Sequence, residues 1–170
     1  MTKEGRGGFV FLPAQLERRQ GCVHRARGLQ IAAEQDHLRC REFARGKGAE
    51  FTYVPLTTPD LRLDEAALDN LLAVADPAQH NLFAFPAQSN FSGVKHPLEL
   101  VTRAQAQGWD VCLDVAAYVP TSRLDLSQIK PEFVTLSFYK MFGYPTGLGA
   151  LLIRKSVLGK LHRPWFAGGT

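Results

Sequence analysis

Leu136-Ser137-Phe138-Tyr139-Lys140-Met141-Phe142-Gly143-Tyr144-Pro145-Thr146-Gly147-Leu148-Gly149 is the stretch on which the reading of this chain turns. The residues leading into it, Phe133 to Phe138, are β-branched, apolar and aromatic, as a buried strand requires. The residues after Lys140 carry turn chemistry, with Gly143, Gly147 and Gly149 around Pro145. Lys140 stands at the junction. A lysine that serves only as surface charge needs no such setting. A lysine that forms a Schiff base does, because its amine must be partly desolvated to be neutral and must be held firmly at a strand end.

Working outward, strand-like and helix-like segments alternate from about Gly48 onward. Glu50 to Val54 reads as a short strand ended by Pro55. Asp64 and Glu65 suit the first turn of a helix whose Leu68, Leu71, Leu72 and Ala75 recur at helical spacing. Asn81 to Phe85 reads as a strand, and Pro97 as the first position of a helix carrying Leu98, Val101 and Ala104 and closed by Gly108. Trp109 to Val115, Phe133 to Phe138 and Gly149 to Ile153 complete the strands. This order predicts an α/β fold, a mostly parallel sheet flanked by helices. The pattern divides the chain into residues 1–47, a poorly defined and mainly helical N-terminal segment, and residues 48–170. Gln15 to Phe43 carries Leu16, Ile31 and Leu38 at positions a helix could bury, interrupted by the arginine-rich Arg18 to Arg27.

In an open α/β sheet, ligands bind beyond the carboxyl ends of the strands. Three candidates fall there. Asp114 ends the Trp109–Val115 strand. A carboxylate in that position is costly to bury without a cationic partner; a protonated pyridine nitrogen would supply one through a charged hydrogen bond of roughly 1.5–3 kcal/mol. Alone, the residue reads as readily as a turn cap or an arginine partner. Lys140 lies one crossover later and can reach the same edge. Gln88, Ser89 and Asn90 come after the Asn81–Phe85 strand and offer polar groups there, either to a ligand or to their own backbone.

Composition narrows the partners. The chain has 170 residues, 45% apolar and 21% charged, which suits one globular domain. No apolar run reaches the roughly 18 residues of a membrane span, and Gly8 to Ala14 is too short for a secretory core, so a cytoplasmic location and no membrane partner are expected. The net charge is +4, concentrated in residues 1–47, where ten Lys/Arg face five Asp/Glu. No nucleic-acid motif accompanies that excess, which reads as a solvated basic face. Cys22, Cys40 and Cys112 form neither a disulfide framework nor a zinc spacing.

The segments Pro86 to Gly93, Leu113 to Thr121, Leu124 to Ser127 and Ser137 to Gly147, in this order, resemble the aminotransferase class V family of pyridoxal-phosphate enzymes, above all its cysteine desulfurase and molybdenum cofactor sulfurase branch. The resemblance implies a partial large domain of the fold-type-I architecture and pyridoxal 5'-phosphate as cofactor. By it, Lys140 would carry the cofactor as a Schiff base, Asp114 would pair with the pyridine nitrogen, and Asn90 would contact the ring hydroxyl. Ser137 would approach the phosphate with Tyr139 beside it, and Gln88 would share the site. His37 is the only candidate for the histidine that stacks on the ring. Ala117 stands where desulfurases often have a ring-contacting glutamine.

The resemblance also implies an amino-acid substrate such as cysteine and a homodimer, with Gly168-Gly169-Thr170 resembling the segment that reaches a neighbouring subunit. The family's phosphate loop has no recognisable counterpart, since the residues after Gly5-Arg6-Gly7-Gly8 do not continue its pattern. Cys112, inside a strand, is expected to be a buried structural thiol rather than the desulfurase nucleophile. The chain is therefore expected to be a central piece of the large domain without the small one. Its alternative reading is a truncated, non-catalytic fragment that keeps the sheet as a structural or interaction module.

Overall fold

The computed structural model describes residues 9–14, 28–30, 44, 46, 49–144 and 146–161. Its centre is a six-stranded mixed sheet. The elements, in chain order, are β1 (Phe9–Ala14), β2 (Gly28–Gln30), a two-stranded ladder of β3 (Leu56–Thr57) and β4 (Arg62–Leu63), α1 (Glu65–Leu72), β5 (Leu82–Pro86), α2 (Leu100–Ala106), β6 (Asp110–Asp114), β7 (Phe133–Ser137), the single-turn α3 (Tyr139–Phe142), β8 (Gly149–Arg154) and a 3-10 helix (Lys155–Lys160). The sheet order is β1-β8-β7-β6-β5-β2. Strands β2, β5, β6 and β7 are parallel, whereas β8 runs antiparallel to β7 and β1 antiparallel to β8.

The parallel core results from burial on both faces. Phe83 and Phe85 are fully buried on one face of β5 and stack with ring centroids 4.9 Å apart, while Ala84 on the other face is also covered. Val111, Leu113 and Val134 continue the core across β6 and β7. Helix α1 closes it from one side with Leu68 and Leu72. Asp64 caps that helix by accepting from the Ala67 N–H at 3.0 Å, and the buried Trp109 indole donates to the Leu72 carbonyl at 2.8 Å, satisfying a carbonyl of the last turn. Helix α2 buries Leu100, Val101 and Ala104. Gly108, at φ +84, then takes the left-handed conformation that lets Trp109 turn back onto the sheet. Arg103 ties the two helices together, donating to Asp69 and Glu65 at 2.7 Å each.

At the amino edge, Glu132 is buried and accepts from the Val111 N–H at 2.8 Å, from the Gln105 side chain, and from Arg154 in an ion pair. One carboxylate thus joins the starts of β6 and β7 to the end of β8.

Three expectations need correction. Glu50 to Val54 is not a strand. Its backbone finds no ladder partner, and pairing shifts to Leu56–Thr57 with Arg62–Leu63, which the intervening turn sets opposite one another. The helix expected to begin at Pro97 starts at Leu100, because residues 97–99 form a tighter turn with Leu100 and Val101 donating to Pro97 and Leu98. Within residues 1–47, expected to be mainly helical, Phe9–Ala14 and Gly28–Gln30 are strands that extend both edges of the sheet; Gln15 to Arg27 and Ile31 to Phe43 lie outside the described residues. The antiparallel turn of β8 also has a physical cause. Residues 138–148 supply only one helical turn, and a parallel return needs a crossover of a dozen or more residues.

Candidate active site

Because β5, β6 and β7 are parallel, their carboxyl ends share one edge of the sheet. The registers set Pro86 beside Asp114 and Asp114 beside Thr135, two residues before the end of β7. The segment after β5, the end of β6 and the turn after β7 therefore meet.

The β5 segment is a tight loop. Gln88 bridges to Lys95, the Ser89 N–H donates to Val94 at 2.8 Å, and the Gly93 N–H donates to Ser89 at 3.1 Å. The buried Ser89 hydroxyl accepts from the N–H groups of Phe91 (3.2 Å) and Ser92 (3.0 Å), a local turn of the kind serine favours. Gly93 at φ +73 closes it. Asn90 is left exposed at the tip.

After β7, the chain makes one helical turn in which Met141 and Phe142 donate to Phe138, and Gly143, at φ +79, ends it. That turn carries Lys140 past the strand end at which it was expected, onto α3. Its Nζ donates to Asn90 Oδ1 at 2.6 Å. Since β6 lies between β5 and β7, the two side chains meet from turns whose parent strands stand two strand spacings, about 10 Å, apart.

Asp114 is half-buried. Its Oδ1 accepts from the Ala116 N–H at 2.9 Å, and its backbone carbonyl accepts from Ala87 at 2.7 Å. The turn-cap reading thus holds for one oxygen, while Oδ2 takes no hydrogen bond from the described residues. Gln88 Oε1 is buried with no hydrogen-bond partner among the described residues, which is unstable without a donor. Ser137 is half-buried beside Gly149. A Cβ on Gly149 would lie 2.6 Å from the Leu136 carbonyl oxygen, so the close approach of β8 to β7 at this edge requires glycine. Tyr139 is exposed, with Lys140 Nζ 6.0 Å from its ring centroid. His37 and Gly168 to Thr170 lie outside the described residues.

Lys140, Asn90, Asp114, Gln88, Ser137 and Tyr139 are therefore placed on one edge. The chemistry of this set, a carboxylate oxygen without a hydrogen bond from the described residues, an amine and a buried amide oxygen without a partner among them, suits a ligand that carries a cationic ring N–H and a carbonyl.

Other features escaped the sequence reading. Ser89, by contrast, follows the backbone alternative that the sequence left open, its hydroxyl accepting two N–H groups of its own loop. Phe91, Phe142, Tyr144 and Leu148 form exposed apolar surface in the two turns flanking Lys140 and Asn90. Asp125, in the Leu124 to Ser127 segment, accepts from the hydroxyl and N–H of Ser127, which hold its carboxyl below the usual carboxylate range; it shapes its own turn. Cys112 shares the half-buried face of β6 with Asp114 instead of being fully buried, as the two-residue period of the strand dictates.

This sheet edge gathers a lysine, an aspartate and a polar loop in an α/β domain, and the chain belongs to the aminotransferase class V family, whose model matches residues 32–170. It resembles the molybdenum cofactor sulfurase of Caenorhabditis elegans, with 55% identity over 92 residues that cover 54% of this chain and 13% of that protein. It also resembles molybdenum cofactor sulfurase 3 of Aedes aegypti, 51% identical over 104 residues covering 56% of this chain and 14% of the relative. Among solved structures, the cysteine desulfurase CsdA of Escherichia coli superposes with a TM-score of 0.71 at 25% identity, covering 86% of this chain and 36% of that one. The apo cysteine desulfurase of Thermococcus onnurineus NA1 shares the fold, with a TM-score of 0.72 at 23% identity over 87% of this chain and 36% of that one. The chain thus spans little more than a tenth of the curated relatives and about a third of the desulfurase structures. No described helix is long and apolar enough to cross a membrane.

Proposed function

We propose that this chain is the central, cofactor-binding part of a pyridoxal-phosphate enzyme of the cysteine desulfurase and molybdenum cofactor sulfurase type, acting on an amino acid such as cysteine as a cytoplasmic homodimer. The observation that carries the reading is the Lys140–Asn90 hydrogen bond, which joins the turns that follow β7 and β5, the strands on either side of β6.

When bound, pyridoxal 5'-phosphate supplies an electron sink for negative charge developing at a substrate carbon. Asp114 would accept the ring N–H through Oδ2 and, as a carboxylate, would keep that nitrogen protonated. The Ala116 N–H engages Oδ1, and Oδ2 takes no hydrogen bond from the described residues. Lys140 would hold the cofactor through Nζ and, as a free amine, would carry the proton to and from the substrate's reacting carbon. Asn90 donates through its amide NH2 to the ring hydroxyl, and Gln88 Oε1 accepts from the bound ligand. Ser137, with Tyr139 beside it, would approach the phosphate, and His37, outside the described residues, is the candidate for the histidine that would stack on the ring.

The test is an absorption titration of the full chain with the cofactor, then borohydride reduction and peptide mass mapping. Attachment at Lys140 is expected in the wild type and in Asp114→Asn, with turnover lost in the latter, and no attachment is expected in Lys140→Ala. Equal attachment in Lys140→Ala overturns the assignment.

A further inference from the structure

The loop that carries Asn90 is built more firmly than a contact to a bound ring demands. Ser89, only 5% exposed, spends its hydroxyl on the N–H groups of the two residues after Asn90. The Gln88–Lys95 bridge and the Ser89–Val94 bond clamp the base of the loop. An exposed asparagine at such a tip would ordinarily be satisfied by water. Instead its amide oxygen takes the Lys140 N–H at 2.6 Å, short for this donor and acceptor. The lysine stem from α3 and the asparagine arm from the β5 loop meet from turns that follow the strands on either side of β6.

From this geometry we infer that Asn90 is the resting partner of the Lys140 amine, holding it until a carbonyl arrives, and that Ser89 positions Asn90 for the task. The inference rests on reading Lys140 as the cofactor lysine.

The chemistry explains why an amide suits the place. When the neutral amine condenses with an aldehyde, nitrogen forms a C–N bond that becomes C=N. The carbonyl oxygen leaves as water with both hydrogens of the amine. The N–H that Asn90 accepts is therefore present only while the lysine is free. Once it is gone, the same amide still has two N–H donors to offer a ligand oxygen. Aspartate would hold the amine equally well and could offer no donor afterwards. Alanine would do neither.

The test is reductive methylation of the full chain with formaldehyde and cyanoborohydride, quantified peptide by peptide. The rate at Lys140 is divided by that at exposed Lys155, which serves as internal reference. Because formaldehyde needs no cofactor pocket, the rate reports on the amine alone. In Asn90→Ala the ratio is expected to rise about three- to tenfold, the scale of one hydrogen bond open to solvent. Asn90→Asp, whose charged acceptor binds the amine at least as strongly, is expected to stay at or below the wild-type ratio, and Ser89→Ala to lie between wild type and Asn90→Ala. An unchanged ratio in Asn90→Ala, or an equal rise in Asn90→Asp, overturns the inference. Failure of wild-type Lys140 to capture pyridoxal phosphate would sink the proposed function instead, while the methylation ratios still decide what Asn90 does.

Discussion

Gly149→Ala tests whether the contact between β7 and β8 positions the site. The added Cβ would stand 2.6 Å from the Leu136 carbonyl oxygen, where ordinary contact begins at 3.4 Å, so β7 and β8 must separate by about 0.8 Å. The obstacle is backbone on both sides, and it cannot rotate away. Overpacking of this kind costs about 1–3 kcal/mol, and the lower entropy of alanine in the unfolded chain returns about 0.4–1 kcal/mol. A net loss of about 1–2 kcal/mol should lower the urea midpoint by about 0.5–1 M.

The strain acts directly at the site. Ser137 pairs with Gly149, and the Phe138 N–H donates to Leu148 at 3.0 Å, so the turn that carries Lys140 is anchored to the strand being displaced. A shift of 0.8 Å would take the 2.6 Å Lys140–Asn90 bond to about 3.4 Å, close to breaking. The methylation ratio of Lys140 should therefore rise along with the loss of stability. Gly159→Ala is the control, since nothing lies within 4 Å of its Cβ position and both readouts should be unchanged. A Gly149→Ala protein with a midpoint within about 0.2 M of wild type and an unaltered Lys140 ratio would refute the reasoning.

Glu132→Ala removes the buried acceptor of the Val111 N–H and the partner of Arg154. Arg154 is one-third exposed and can turn to water, so the loss is about 2–4 kcal/mol by urea unfolding, with Glu132→Gln less damaging because it keeps an acceptor. His96 is buried, and desolvation, together with the smaller effect of the Arg62 charge, lowers its pKa below 6.5. Below that value the unfolded chain binds a proton the folded one refuses, so stability should fall as pH drops through about 6.5 and level off beneath the folded pKa. Unfolding midpoints measured from pH ~7.5 to ~5 should fall less steeply in His96→Phe; identical slopes would show that this residue does not contribute.

The parallel strands and the two principal helices were legible in the residues because each carries a local signal. Apolar runs mark β5, covered on both faces, and β6 and β7, whose Val111, Leu113 and Val134 enter the core. Asp64 and Glu65 mark a helix start, where the structure makes Asp64 the cap, and Leu68 and Leu72 mark a helical stripe. Glu50 to Val54 misled because its composition suits a strand, whereas a strand exists only where another segment offers a ladder. Phe9–Ala14 was missed for the converse reason: its pairing with β8 joins segments about 140 residues apart in the sequence, and no local pattern encodes that.

For the site, the sequence alone determined the chemistry on offer: a lysine and an aspartate close to strand ends, and the polar trio Gln88, Ser89 and Asn90 after another. It also carried the family, because the motifs occur in the same order as in the relatives. Which oxygen of Asp114 is committed, that Ser89 serves the loop, and that Asn90 meets Lys140 were decided only by tertiary structure. Residue type specifies which hydrogen bonds a side chain can make. Only the packing of three parallel strands, 50 residues of chain between Asn90 and Lys140, specifies which of them it does make.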